Sequence, residues 1–119
     1  MVMSKTVEKT CVVLCGASNY SEKYYLNPDF SKLPKGIQDE LKIMCVLFVS
    51  EVGGILTLEF EADGKLCFRV TAEEEDILFD EIGAELKIRE YQRTKRELLE
   101  GVELYYRVVV LGERLSKKI

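Results

Sequence analysis

The sequence predicts an α+β fold: an antiparallel sheet of two β-hairpins, packed by a helix at about residues 34–51 and a long C-terminal helix at about 76–111. Three observations carry that expectation. Asp63-Gly64 stands between two strand-like runs, the strongest hairpin signal in the chain. Ile37, Leu41, Met44, Cys45, Phe48 and Val52 recur at the spacing of one helix face. From residue 73 onward there is no proline, and apolar residues keep a helical rhythm. The length of 119 residues, 47% of them hydrophobic and 32% charged, suits one domain, 1–119, with ends expected to fray over 1–9 and 113–119.

Taken in order, Cys11-Val12-Val13-Leu14-Cys15 is a β-prone run closed by Gly16, and Lys23-Tyr24-Tyr25-Leu26 is a second, closed by Pro28. They pair across the Ser18–Glu22 loop. Pro34 suits a first helical turn and Gly53-Gly54 supplies the positive-φ stop, which brackets the first helix. Residues 43–49 are apolar on every side, so a short helix followed by a buried strand fits the same letters; the spacing favours one helix buried over most of the circumference of its second half. In the second hairpin, Ile55–Glu61 and Lys65–Thr71, the residues Leu56, Leu58 and Phe60 share one face while Thr57, Glu59 and Glu61 take the other.

Glu73, Glu74, Glu75 and Asp76 favour the positive end of a helix, placing its start near residues 73–76. Ile77, Leu78, Ile82 and Leu86 follow, and Tyr91, Leu98, Val102, Tyr105 and Val109 continue the apolar seam. Four pairs at four-residue spacing, Glu85–Arg89, Arg93–Glu97, Arg96–Glu100 and Glu103–Arg107, are expected on the wet side, with bends at Gly83 or Gly101. A continuous helix over 84–111 would be about 40 Å long, against about 20 Å for a short strand. Its overhanging seam predicts a homodimer, with Tyr91, Leu98, Val102, Tyr105 and Val109 in the interface.

Several chemistries are disfavoured. No histidine is present, which removes the usual proton shuttle and the commonest metal ligand. Cys11, Cys15, Cys45 and Cys67 lack paired zinc spacing and read as buried free thiols, Cys15 at a strand end being the most exposed nucleophile. A formal charge of −4 argues against a nucleic-acid binder, and the basic run Lys87–Arg96 reads as a salt-bridged face. The acids over 73–85 read as a solvated helix start rather than a cation cage. Gly53-Gly54 lies in no phosphate-binding motif. The longest apolar run, Ile43–Val49, is far too short to cross a membrane, and the N-terminus carries no secretory signal, so a cytoplasmic protein is expected.

Lys23-Tyr24-Tyr25-Leu26-Asn27-Pro28, Val52-Gly53-Gly54-Ile55-Leu56-Thr57-Leu58, Asp80-Glu81-Ile82-Gly83 and Leu104-Tyr105-Tyr106 together give a further pointer. Over residues 11–111 the chain resembles a family of small uncharacterised bacterial proteins, a domain of unknown function. The resemblance implies a bacterial cytoplasmic protein and supplies no activity, cofactor or catalytic residue. The expected function is therefore a non-enzymatic interaction or regulatory protein acting as a homodimer, with an unidentified protein as a further partner. The alternative is a small-ligand-binding domain with a pocket beside Tyr20, Tyr24, Tyr25 and Asn27, residues with apolar bodies and polar tips. A thiol-dependent enzyme using Cys15 stands third. No catalytic residue, metal ligand or cofactor is assigned.

Overall fold

The computed structural model describes residues 11–112, so the fraying expected over 1–9 and 113–119 lies outside the described residues. Strand β1 (Val12–Ser18) and β2 (Lys23–Leu26) form the first hairpin, and β3 (Ile55–Phe60) and β4 (Leu66–Thr71) the second. The strands run antiparallel in the order β2-β1-β3-β4, the two hairpins joined by β1 pairing with β3. Leu56, Leu58 and Phe60 are fully buried on the covered face, while Ile55, Thr57 and Glu59 alternate onto the open one. A bulge between Val13 and Cys15 interrupts the period-two pattern of β1. The extra residue resets the alternation, so the neighbours Leu14 and Cys15 are both buried.

Between the hairpins, Asn27 caps a single 3-10 turn (Pro28–Phe30) that drives Phe30 into the core. Helix α1 (Lys35–Val52) follows Pro34 and ends where Gly53, at φ 86°, turns its N–H back to the Val49 carbonyl. Residues 43–49 are helical throughout. Leu41, Met44, Cys45, Phe48, Val49 and Val52 form the buried stripe, whereas Ile43, Val46 and Leu47 lie on the outer side, so the second half is less enclosed than its letters predict.

The C-terminal helix departs from expectation at its start and in its middle. It begins at Glu81, capped by Asp80 Oδ1, which accepts from the Gly83 N–H at 2.8 Å. The acids at 73–76 belong instead to a loop, 72–80, because the Asp76 carboxylate is already engaged by Leu78 N–H and Tyr20. Helix α2 (Glu81–Thr94) then breaks at Lys95 (φ −108°, ψ 24°) before α3 (Arg96–Tyr105), which continues into a wider π-type segment (Tyr106–Leu111). The bend therefore falls at neither Gly83 nor Gly101. Its local cause is Thr94, whose hydroxyl donates to the Glu90 carbonyl at 2.9 Å, the back-bond that bends helices.

The break keeps the helical segment over its own sheet. Helix α2 runs along α1, with Tyr91 against Phe48 and Lys87 on Glu51. Helix α3 and the segment after it cover the other end, where Tyr106 stacks on Phe60 at 4.1 Å with Phe30 alongside. The seam assigned to a dimer interface is thereby spent inside the chain: Tyr91, Leu98 and Val102 are buried in the core, and Tyr105 and Val109 are half-buried. Among the described residues no helix is long and apolar enough to cross a membrane.

Candidate functional site

The four residues of the expected ligand pocket do not converge. Tyr20 is a fastener: its hydroxyl donates to Asp76 Oδ2 at 2.6 Å and accepts from the Glu73 N–H at 2.9 Å, tying the first hairpin to loop 72–80. The hydrogen bond donated to the Asp76 carboxylate holds the Tyr20 hydroxyl above the usual tyrosine range, because ionisation would give up that bond and set two negative charges against each other. Asn27 is a second fastener, donating through Nδ2 to the Val13 carbonyl at 2.6 Å while Oδ1 accepts from the Asp29 N–H. Tyr24 and Tyr25, as neighbours on β2, face opposite sides of the sheet. Tyr25 pairs across from Gly16 and borders a shallow depression on the open face of about 470 Å³. Tyr24 turns to the helix-covered side, where its hydroxyl is buried without a hydrogen-bond partner.

Beside Tyr24 lie the thiols of Cys15 and Cys45, 3.8 Å apart and fully buried. Burial, reinforced by Cys15, pushes Tyr24 ionisation well up, and the neighbouring thiol together with burial does the same for Cys45. Tyr24 and Cys45 are thereby held protonated in the core. Cys15, expected to be the most exposed thiol, is 0% exposed, so no substrate reaches it in this fold. Cys67 is half-buried with its ionisation raised by desolvation, and all four cysteines are free thiols. Among the described residues no three Cys, Asp or Glu side chains gather as a metal site.

The charged faces also differ from expectation. Of the four anticipated pairs only Arg96–Glu100 forms, at 3.9 Å. Glu103 instead accepts from the Leu66 N–H at 2.7 Å, capping the start of β4. Lys87 pairs with Glu51 at 2.8 Å and lies 5.8 Å from the Tyr91 ring, its charge held by Glu51. Glu81, Glu85, Arg89 and Arg93 are exposed and enter no salt bridge among the described residues.

The first residues of the expected apolar seam form a ledge in water: Ile77, Leu78, Ile82 and Leu86 are 93%, 87%, 75% and 60% exposed. The loop that carries the first two is firmly held. Beyond the Tyr20 bonds, Asp80 N–H donates to the Val52 carbonyl at 3.0 Å and Leu78 N–H to Asp76 Oδ1 at 3.0 Å. Phe79 points the other way, against the bare α-carbons of Gly53 and Gly54. Ile77 and Leu78 are therefore presented outward on a fastened segment.

Residues 11–114 match the model of a family of unknown function (DUF6145). The chain belongs to that family. No curated protein and no solved structure matches it. In this DUF6145 member the ledge was legible in one respect: Ala84, Ile88 and Tyr91 share a helical face by spacing, which puts Ile82 and Leu86 opposite. The exposure of Ile77 and Leu78 had no local signal, since it depends on bonds from Tyr20 and Val52.

Proposed function

We propose that the chain is a non-enzymatic interaction protein of the bacterial cytoplasm, acting as a homodimer through the outer face of α2 together with Ile77 and Leu78. The observation that carries this reading is a fastened loop holding two large apolar side chains almost wholly in water. Contiguous exposed apolar surface of this kind marks a surface with a partner, because covering it removes it from water at a gain of about 25 cal/mol per Å².

A second copy is the occupant that the charges favour. Along the outer side of α2 the acids Glu81 and Glu85 precede the bases Arg89 and Arg93. An antiparallel pair of α2 helices, related by a two-fold axis that crosses their outer faces at the level of residue 87, sets Glu85 opposite Arg89 and Glu81 opposite Arg93, with the ledges running alongside. The four free thiols suit a reducing compartment. Sedimentation of the full chain tests the reading: the wild type is expected as a dimer, and Ile82→Glu/Leu86→Glu as a folded monomer by circular dichroism. A wild type that stays monomeric at the highest concentration reached refutes it.

A further inference from the structure

A separate feature lies between the first hairpin and α1, a half-open cavity of about 540 Å³, within the size range of small-molecule sites. Ala17, Val46 and Val49 give it an apolar wall, and Ser50, Lys23 and Lys42 a polar one. The two lysines approach from different elements, β2 and α1; both are exposed and neither enters a salt bridge among the described residues. The lining contains a single carboxylate, Glu22, so its charge balance is positive.

One departure from ordinary structure borders the cavity. Glu22 has φ 56°, the only non-glycine residue with positive φ among the described residues. Tyr24 also lines the cavity, its hydroxyl lying inward beside the buried Cys15 and Cys45 thiols. Backbone strain persists where the surrounding structure enforces it, and strained residues gather at binding sites. We propose that this cavity binds a small organic anion, its charge between Lys23 and Lys42 and its apolar body against Val46 and Val49. The site is independent of the α2 ledge.

The test is titration of the full chain with decanoate and with phenyl phosphate, followed by amide chemical shifts. Saturable shifts are expected around Lys23, Lys42, Val46 and Ser50. Lys23→Gln/Lys42→Gln, which alters only exposed side chains, is expected to weaken binding about tenfold, while Lys35→Gln, remote on α1, leaves it unchanged. Tighter binding of decanoate assigns a carboxylate ligand, and tighter binding of phenyl phosphate a phosphate ester; either supports the site. No saturable binding of either probe, equal binding by the double variant, or shifts confined to Ile82 and Leu86 would overturn it.

Discussion

Val102 separates an internal seam from an intermolecular one. It is 1% exposed, on the side of α3 that packs over the sheet, so Val102→Ala removes two methyl groups from a closed core. At about 0.8 kcal/mol per carbon, with a further contribution from the cavity left behind, the expected cost is about 2–3 kcal/mol. Unfolding entropy of about 2.1 cal/mol/K per residue, over a chain of 119, converts this to a fall in Tm of about 8–12 °C. Leu86→Ala, at a side chain 60% exposed, is expected to cost under about 0.5 kcal/mol, a shift of about 2 °C. Circular dichroism melts at the lowest readable concentration measure both without contribution from association. A Val102→Ala protein melting with the wild type, beside a Leu86→Ala protein melting ten degrees lower, would refute the placement of the seam in the core.

Three further outcomes follow from particular contacts. Gly54→Ala puts a methyl group 2.7 Å from the Thr71 carbonyl and 2.9 Å from the Phe79 ring at φ +75°, and should cost about 2–4 kcal/mol in urea unfolding; a value under about 1 kcal/mol would contradict the close approach. Tyr20→Phe should speed hydrogen exchange over 73–80 several-fold while leaving Tm nearly unchanged, and because the folded Tyr20 hydroxyl is raised, the wild-type latch should release only as pH climbs past the ordinary tyrosine value of 10.0. For Cys45, the unfolded thiol loses its proton near 9.0 while the folded one keeps it, so its contribution is intact below that pH. Stability should then decline by about 1.4 kcal/mol per pH unit above it, a slope that Cys45→Ala should reduce.

The parts of the fold legible in the sequence are those fixed by local chemistry. Asp63-Gly64 sets the second hairpin, Leu56, Leu58 and Phe60 declare its buried face, and Pro34 with Gly53 brackets α1 to within a residue. What the sequence hid depends on partners far along the chain. Four acids at 73–76 have the composition of a helix start, yet Tyr20, 56 residues earlier, takes the Asp76 carboxylate and keeps the segment a loop. The bend after Thr94 needs one hydroxyl to choose a backbone acceptor over water, a choice no periodicity records. A helix drawn straight overhangs the sheet and calls for a dimer through Leu98 and Val102; bent, it buries both residues at home. Period-two alternation sets Tyr24 and Tyr25 on opposite faces, against the single pocket expected of them, and the fastening roles of Tyr20 and Asn27 lie in their bonds to Asp76 and Val13.

The antiparallel pairing of α2 is open to a direct measurement by native mass spectrometry on two charge variants. Glu81→Lys/Glu85→Lys makes the outer row wholly basic, and Arg89→Glu/Arg93→Glu makes it wholly acidic. Each variant alone should be monomeric, because like charges then face each other across the two-fold axis, and an equimolar mixture should give the heterodimer. Variants that each remain dimeric, or a mixture that yields no heterodimer, would contradict the account.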